Sequence, residues 1–283
     1  MIYQKDINMI KVAIIILHFG DPKITIDCLD SLVKINKNKL EVDIYVLDNQ
    51  GTINRHSNFN NISTLPFIKN YGFAAGNNFV INKIKNDKYD YYLFLNNDTI
   101  VYSDFLIQLT KVIESSKKIG ICGPVIEHQV KNKTLYDYGG LTNWQKTQPK
   151  HINKINYDTS VNFMERDFVS GCCLCIKSEL FHQLNGFNEK YFMYLEDVDL
   201  CVRVAKLDYK IVNVPKARIF HLGSKSASEN FKIKQSLINS LRFIIAHTPV
   251  KYKLSSFIFN TFFYPSLWLR WKLKRAFFVL KTR

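Results

Sequence analysis

The first 125 residues alternate short, mainly apolar runs with segments in which apolar residues recur every three or four positions. An uninterrupted run is typical of a strand buried on both faces, and the longer period is typical of a helix. Residues 12–17 form such an uninterrupted run, and further strands are predicted at the mainly apolar residues 42–47, 63–68, 91–95 and 119–123. This β-α-β order predicts an α/β, Rossmann-like fold with a mainly parallel central sheet and helices on both faces.

The second part of the chain is less regular. Residues 126–165 form a polar stretch around Gly139-Gly140, so we expect little regular structure there. The pattern then predicts strands at 168–176, 210–214 and 218–220, and helices at 179–185 and 196–207.

Polar or small residues directly follow three of the predicted strands: His18-Phe19-Gly20, Asp48-Asn49 and Asn96-Asn97-Asp98. In sheets of this kind, ligands bind beyond the carboxyl ends of the strands. A carboxylate at that edge suits Mg²⁺ or Mn²⁺ beside a diphosphate, because these cations prefer oxygen ligands. The alternative for the last tripeptide is an ordinary turn, which Asn and Asp favour.

Residues 70–78 are rich in glycine and asparagine and lead into a predicted helix that ends near Lys85. Gly72 and Gly76 would let the backbone approach a ligand closely, and the N-terminus of a helix favours an anion. The alternative is an ordinary glycine-rich connection. A P-loop is excluded because no Gly-Lys-Ser/Thr follows.

Acidic residues cluster at the start of the helix predicted at 196–207. Acids at this position suit the helix dipole, and Asp199 is spaced to pair with Arg203. One of them could instead serve as a general base that deprotonates an attacking hydroxyl. His221, which follows a predicted strand, is a candidate metal ligand or phosphate contact, with a purely structural role as the alternative.

The net charge of +15 is concentrated at the C-terminus, because residues 230–283 contain eleven Lys or Arg and no acid. A nucleic-acid-binding domain would spread its basic face over the folded core, so we expect no nucleic-acid partner. Residues 251–283 contain ten aromatic residues among eight Lys or Arg. Their apolar positions lie on opposite sides of a helix, with Leu269, Leu273, Ala276, Phe277 and Leu280 on one side and Leu267, Trp271 and Phe278 on the other.

This mixture of aromatic and basic residues favours reversible binding of residues 230–283 to an anionic membrane surface. The alternative is a helix packed on the core.

The longest uncharged stretch of the tail has 16 residues, fewer than the ~20 of a spanning helix. The N-terminal apolar run at residues 12–17 is also too short to span a bilayer. The six cysteines, including Cys172 and Cys175, resemble reduced core thiols. We therefore expect a cytoplasmic protein that is peripheral on the inner face of the cytoplasmic membrane.

Taken together, the motifs resemble those of the family 2 glycosyltransferases, inverting enzymes that use nucleotide sugars and have the GT-A fold, and in particular the bacterial rhamnosyltransferases. The resemblance spans about residues 10–225. It rests on residues 12–19, 28–32, 46–49, 70–78, 93–99, 169–171, 186–187, 195–203 and 220–221.

The resemblance implies a role for each matching residue. Asp197 would be the catalytic base, and Asp98 and His221 would bind Mg²⁺ or Mn²⁺. Asn96 stands where the family's Asp-x-Asp motif begins with Asp. Its uncharged oxygen would be a weaker ligand, so the metal would be bound less tightly and a strict metal requirement is not implied. The nucleotide sugar would contact His18, Phe19, Gly20, Asp48, Asn70, Gly72, Asn77 and Asn97.

The resemblance also implies a division of the chain and a reaction. Residues 1–229 would form the glycosyltransferase domain, with a nucleotide-binding half at about 10–125 and an acceptor and catalytic half at about 126–229. Residues 230–283 would form the membrane-associating region. The expected reaction moves rhamnose from dTDP-rhamnose to a lipid-linked intermediate of a surface polysaccharide, such as O-antigen or capsule. A UDP-hexose transferase and a non-catalytic nucleotide-binding module are the alternatives.

Overall fold

A computed structural model describes residues 9–53, 62–65, 69–223 and 228–281. Its strands are β1 (Ile10–His18), β2 (Leu40–Asp48), β3 (Ile62–Leu65), β4 (Tyr91–Asn96), β5 (Thr99–Val101), β6 (Ile119–Val130), β7 (Lys133–Asn143), β8 (Gln148–Lys154), β9 (Met164–Arg166), β10 (Cys173–Lys177) and β11 (Lys210–His221). Its helices are α1 (Pro22–Val33), α2 (Gly72–Lys83), α3 (Phe105–Glu114), α4 (Ser178–Gln183), α5 (Glu196–Ala205), α6 (Glu229–His247) and α7 (Val250–Lys281).

Within the described residues, these strands form one mixed sheet whose main path runs β3-β2-β1-β4-β10-β6-β11-β5. The first four strands are parallel, as are β6 and β11. Strand β10 lies antiparallel between β4 and β6, and β5 is antiparallel to β11. The prediction of a mainly parallel α/β central sheet is therefore confirmed, with β10 and β5 as antiparallel members of the main path and β7, β8 and β9 as further antiparallel strands beside it.

Alternate residues of β1 enter two separate hydrophobic cores. Val12, Ile14 and Ile16 pack with α1 and α3 on one face of the sheet. Ala13 and Ile15 pack with α2, α4, α5 and α6 on the other face. This two-residue alternation in an all-apolar strand is the reason that helices cover both faces of the sheet, as the sequence predicted.

Local signals placed several elements correctly. Helix α1 begins with Asp21 as its N-cap, whose side chain accepts a hydrogen bond from the Lys23 N–H, and with Pro22 in its first turn. Asn185 and Gly186 end the short helix α4 with left-handed backbone, and the Gly186 N–H donates to the carbonyl of Phe181. All six cysteines are buried and free, as expected of core thiols.

Three expectations about the elements are wrong. Helix α2 begins at Gly72, so residues 70–78 are mostly helix rather than loop. The polar stretch 126–165 contains the end of β6, the hairpin β7–β8 and the start of β9, since antiparallel strands with one open face tolerate polar residues. The strand expected at 168–176 begins only at Cys173.

Two other expectations need smaller changes. The two short strands predicted at 210–214 and 218–220 are one strand, β11, with a register irregularity between them. Strand β3 ends at Leu65, and the rest of the strand predicted at 63–68 lies outside the described residues.

Helices α6 and α7 pack against the rest of the protein. Phe243 of α6 is buried and stacks on Trp144, which lies beyond the end of β7. Thr147, Thr248 and Ser256 join their hydroxyl groups in a buried network with Oγ–Oγ distances of 2.7 and 2.8 Å. In the described part of the chain, no helix combines the length and hydropathy needed to cross a bilayer.

Candidate active site

The register of the parallel strands brings three of the predicted site segments together. His18 at the end of β1 lies opposite Asp48 at the end of β2, and Leu17 lies opposite Asn96 at the end of β4. The Asn96 N–H donates to the carbonyl of Cys172 at 2.9 Å, which brings the approach to β10 to the same edge. The carboxyl edge of the sheet therefore carries the candidate site.

Asp48 organises the loop that follows β2. Its Oδ1 accepts hydrogen bonds from the N–H groups of Gln50 and Gly51 at 3.1 and 2.8 Å, and its Oδ2 accepts one from Ile53 at 2.9 Å. Burial alone would raise the pKa of Asp48, but these backbone donors outweigh it and hold the pKa below its ordinary value. Asp48 is thus a fixed carboxylate at the strand end.

His18 is fully buried at the end of β1, and its ring is hydrogen-bonded to two threonines beside the site. Nδ1 is hydrogen-bonded to Thr25 Oγ1 at 2.7 Å and Nε2 to Thr52 Oγ1 at 2.9 Å. Burial lowers the pKa of His18, with Asp48 opposing the shift. The Asn97 side chain donates to the same Thr25 hydroxyl at 2.8 Å. These two residues therefore join the ends of β1 and β4 through the start of α1.

Phe19 and Gly20 form the exposed part of this edge. Phe19 is partly exposed, and its carbonyl accepts a hydrogen bond from Asn97 Nδ2 at 3.2 Å. Gly20 has a φ of +100°, and its N–H donates to the side chain of Gln50 at 2.8 Å. The positive φ at this turn favours glycine, because an L side chain is strained there.

The residues predicted from the 70–78 segment are placed unequally. Asn70 is exposed, and its side-chain oxygen accepts a hydrogen bond from the Gly72 N–H at 2.9 Å. Gly72 has a φ of +75°, and a Cβ there would lie 2.4 Å from the carbonyl oxygen of Phe192. Asn77 is buried and donates to the Phe73 carbonyl within α2. Of the three, the Asn70 side chain is therefore the one open to a ligand.

The loop that leads from α4 to α5 is held by two polar side chains. Asn78, buried in α2, accepts a hydrogen bond from the Phe187 N–H at 2.9 Å and donates to its carbonyl at 2.8 Å. Arg203 of α5 donates to the carbonyls of Leu184 and Gly186 at 3.0 and 2.9 Å. Arg203 also contacts Asp199 at 2.7 Å, which confirms the predicted i,i+4 pair. This loop is therefore fixed from both sides.

Asp197 lies in the first turn of α5, directly after two residues with left-handed backbone. Tyr194 and Leu195 have φ angles of 75° and 71°, a conformation that is uncommon for residues with side chains. One oxygen of Asp197 accepts a hydrogen bond from the Gly171 N–H at 2.7 Å. Gly171 is followed by Cys172, whose carbonyl accepts the hydrogen bond from Asn96 at the end of β4. The contact with Gly171 therefore places Asp197 at the same edge as the strand ends.

Glu196, the neighbouring acid, has a different environment. It is buried, and burial followed by the charge of Asp197 raises the pKa of Glu196 well above its ordinary value. Its Oε2 has no hydrogen-bond partner among the described residues. A buried carboxyl group of this kind favours the protonated form, so Glu196 is unsuited to accept a proton.

Asp98 and His221 meet although they are far apart in sequence. Strand β5 pairs with the end of β11, which brings His221 opposite Thr99, and His221 Nε2 lies 3.1 Å from Asp98 Oδ1. Within the described residues, no group of three or more His, Cys, Asp or Glu side chains converges on one point. One carboxylate with one imidazole fits a divalent cation that takes its remaining ligands from phosphate oxygens. Asn96, at the end of β4, could add an amide oxygen.

Asp137 and His151 form a pair that was absent from the predicted site residues. Asp137 lies on β7 and His151 on β8, with 2.7 Å between Asp137 Oδ2 and His151 Nδ1. The His151 ring meets the Phe168 ring edge-on. Burial alone would lower the pKa of His151, but the hydrogen bond and charge of Asp137, with a contribution from Asp197, raise it overall. The pair lies in the stretch expected to be irregular, so no local signal marked it.

Comparison with known sequences gives a family assignment. The family model described as "Glycosyltransferase like family 2" matches residues 10–242. Rhamnosyltransferase WbbL of Escherichia coli (strain K12) is 28% identical over 204 residues, which are 67% of this chain and 76% of that protein. An N-acetylglucosaminyl-diphospho-decaprenol L-rhamnosyltransferase of Mycobacterium tuberculosis is 46% identical over 54 residues, 19% of this chain and 18% of that protein.

Solved structures share the fold at low sequence identity. GalNAc-T7, crystallised with UDP, GalNAc and Mn²⁺, has a TM-score of 0.61 and 13% identity, covering 89% of this chain and 55% of that one. The mannosyltransferase PcManGT of Pyrobaculum calidifontis, in complex with GDP-Man and Mn²⁺, has a TM-score of 0.59 and 11% identity, covering 90% and 70%. The family match over most of the chain, on a GT-A-like fold, establishes that the chain belongs to glycosyltransferase family 2 and is a glycosyltransferase.

Proposed function

We propose that this chain transfers rhamnose from dTDP-rhamnose, with inversion at the anomeric carbon, to a hydroxyl group of a lipid-linked surface-polysaccharide intermediate. The observation that carries the proposal is the placement of Asp197, which Gly171 holds at the edge where β2 ends in Asp48 and Asp98 follows β4. The rhamnosyltransferases among the relatives support the choice of sugar. The name of the mycobacterial relative supports a lipid-linked acceptor.

The donor nucleotide would lie across the ends of β1, β2 and β4. Asp48 would accept hydrogen bonds from the base or ribose, next to the exposed ring of Phe19 and the backbone of Gly20. Asn70 would line the pocket from the start of α2. His18, Asn97, Gly72 and Asn77 would contribute by shaping this surface, in keeping with the contacts they make.

A divalent cation, Mg²⁺ or Mn²⁺, would be held by Asp98 and His221, with Asn96 as a weaker ligand. When bound, such a cation neutralises charge on the leaving diphosphate. Among these three side chains, Asp98 supplies a negative charge, whereas Asn96 is uncharged.

We therefore expect Asp98→Ala to weaken dTDP binding in the presence of Mn²⁺ and to leave binding in EDTA unchanged, as measured by calorimetry. Equal affinity of both proteins with Mn²⁺ would contradict this assignment.

Asp197 would act as the general base. Its carboxylate takes the proton from the acceptor hydroxyl as the oxygen attacks the anomeric carbon from the face opposite the diphosphate. The new carbon–oxygen bond forms while the bond to the diphosphate breaks, so the configuration inverts. The Gly171 N–H holds the carboxylate of Asp197, whereas burial disfavours the ionised form that Glu196 would need in order to accept the proton.

The reaction is tested with dTDP-rhamnose and a short-chain N-acetylglucosaminyl-diphospho-lipid, following dTDP release and the product mass. We expect Asp197→Asn to abolish all but a small residual rate of transfer while dTDP-rhamnose still binds. Asp208→Asn is the matched control, because Asp208 is exposed at the end of α5 and its φ of 60° is accessible to asparagine. Normal turnover by Asp197→Asn would remove Asp197 from this role.

A donor screen decides between the proposal and its alternatives. Turnover of a UDP-hexose in place of dTDP-rhamnose would change the donor and keep the reaction. Binding of nucleotides without release of a nucleoside diphosphate from any donor would favour a non-catalytic module.

Membrane attachment is the second part of the proposal, and it is carried by the distribution of side chains around α7. The positions that face the protein include polar residues, since Ser256 and Asn260 are buried. The opposite face exposes large apolar side chains, with Val250 85% exposed, Leu254 73% and Phe262 73%. Helices that bury polar residues and expose apolar ones are suited to a lipid surface.

Basic residues accompany this apolar face. Lys251, Arg270 and Lys272 are exposed on α7, and each basic residue near an anionic surface contributes about 1 kcal/mol. The side chains of 271 and 273–283, including the predicted apolar positions Leu273, Ala276, Phe277, Phe278 and Leu280, lie outside the described residues. We propose peripheral binding to the inner face of the cytoplasmic membrane, which would hold the site near a lipid-linked acceptor.

Liposome flotation tests this attachment. We expect the protein to float with anionic phosphatidylglycerol vesicles and to be released by salt, and a Leu254→Ser/Phe262→Ser variant to bind less. Val33→Ser is the matched control, because Val33 is also exposed but lies on α1. Equal binding to anionic and neutral vesicles would contradict the electrostatic part, and undiminished binding of the α7 variant would contradict the assigned surface.

A further inference from the structure

Helix α6 makes a set of hydrogen bonds to the loop that precedes α5, the helix that carries Asp197. Asn239 of α6 is fully buried, and its Nδ2 donates to the carbonyls of Met193 and Tyr194 at 2.8 and 2.9 Å. Arg242, one turn further along α6, donates to the carbonyl of Lys190 and, at 3.2 Å, to Asn239 Oδ1. One side chain of α6 thus binds two consecutive loop carbonyls, and a second side chain holds it in place.

The loop needs such support because of its backbone conformation. Tyr194 and Leu195 both have positive φ angles, and neither is a glycine. For residues with side chains, this left-handed backbone conformation is strained and is maintained only where surrounding contacts hold it. The carbonyl of Tyr194 belongs to the first of these residues, and Asp197 follows only three positions later. The direction in which α5 presents Asp197 therefore depends on this strained pair.

The other side of the loop is held by α2. The Phe192 carbonyl accepts a hydrogen bond from the Phe73 N–H at 2.8 Å, and its ring meets Phe231 of α6 edge-on, with centroids 6.1 Å apart. The loop is thus clamped between an element of the nucleotide-binding half and α6.

We propose that Asn239 is a positioning residue for the transfer reaction, fixing the Met193–Tyr194 backbone so that Asp197 faces the acceptor hydroxyl. The inference rests on the proposed role of Asp197 as the base. It assigns to the C-terminal helices a part in catalysis that is separate from membrane attachment. Asn239 acts through the loop and does not itself touch the substrate.

The test compares Asn239→Ala with Ser240→Ala under the assay described above, in detergent and without vesicles. Ser240 is the matched control: it is a buried neighbour on α6 whose hydroxyl bonds Tyr264 at 2.7 Å, a contact directed at α7 and not at the loop. Each variant is characterised by its thermal midpoint, by its affinity and stoichiometry for dTDP-rhamnose, and by kcat per donor-binding molecule.

We expect Asn239→Ala to lower kcat roughly 10- to 100-fold, since a displacement of about 1 Å costs about 100-fold. Donor affinity and stoichiometry should stay as in the wild type, and Ser240→Ala should keep its kcat. In hydrogen exchange, amides 190–199 should exchange faster in Asn239→Ala alone. A wild-type kcat in Asn239→Ala, or an equal loss of kcat in both variants, would overturn the positioning role.

A double variant separates this inference from the proposed function. If Asn239 acts through Asp197, Asn239→Ala should reduce the residual rate of Asp197→Asn no further, whereas independent effects would multiply. Multiplied losses would overturn the positioning role and leave the base in place. Normal turnover by Asp197→Asn alone would overturn the base, whatever Asn239→Ala does.

Discussion

Gly171 offers a direct way to move the proposed base by a small, known amount. A Cβ added at this position would lie 3.2 Å from Asp197 Cβ and 3.3 Å from its Oδ2, closer than most real contacts, and 3.4 Å from Phe73 Cζ. The Asp197 side chain must therefore give way by a few tenths of an ångström. If ~1 Å of misplacement costs about 100-fold in rate, ~0.3 Å costs about 4-fold.

The same substitution should leave stability nearly unchanged. Crowding a well-packed site typically costs about 1–3 kcal/mol, but here the crowded group is a side chain that is only partly buried. Replacing glycine also removes freedom from the unfolded chain, a gain of about 0.4–1 kcal/mol where the backbone allows it. Gly171 does not have the positive φ that would strain an alanine, so these contributions largely offset each other.

The assay is kcat per donor-binding molecule together with the thermal midpoint. We expect Gly171→Ala to lose about 4-fold in kcat at an unchanged midpoint. Gly120→Ala is the opposite control, because its Cβ would meet Leu180, Tyr209 and Val204 at 2.8–2.9 Å in the core. It should lower the midpoint and keep kcat. A wild-type kcat in Gly171→Ala, or a loss only in proportion to unfolding, would refute the idea that this glycine sets the position of Asp197.

Three further measurements test individual contacts. The backbone donors that outweigh burial depress the pKa of Asp48 below 3.8, so its carboxylate stabilises the fold above that pH and loses this contribution as the pH falls through the folded pKa. The urea midpoint should accordingly fall more steeply between about pH 4 and pH 2 in the wild type than in Asp48→Asn. Asp137 outweighs burial and raises the pKa of His151 above 6.5, so charged His151 stabilises the fold below that pH and this contribution is lost as the pH rises through the folded pKa. The NMR titration midpoint of His151 should fall in Asp137→Asn; an unmoved midpoint would exclude Asp137 as the cause. Asn78→Ala leaves the N–H and carbonyl of Phe187 without their buried partner and should lower the free energy of urea unfolding by about 2–3 kcal/mol. A decrease below about 0.5 kcal/mol would contradict the stabilising role of these two hydrogen bonds.

The features that local pattern predicted are those that depend on neighbouring residues alone. The apolar run of β1 and the Asp21-Pro22 start of α1 are local signals, and both elements lie where they were expected. The parallel register then follows for β1, β2 and β4, which brings His18, Asp48 and Asn96 to one edge. Local pattern did not predict the β7–β8 hairpin, because its polar strands have one open face and no continuous apolar run.

The sequence by itself determined the α/β class, the parallel half of the sheet, the family resemblance and the main candidate residues, because these depend on short-range periodicity and on motifs. Only the tertiary structure decided which residues meet across long separations. It placed β10 antiparallel beside β4, and so brought the Gly171 N–H to Asp197, and it placed Asn239 against a strained loop 45 positions away. Such contacts depend on the order of strands in the sheet and on the packing of whole helices, and no local spacing encodes either of them.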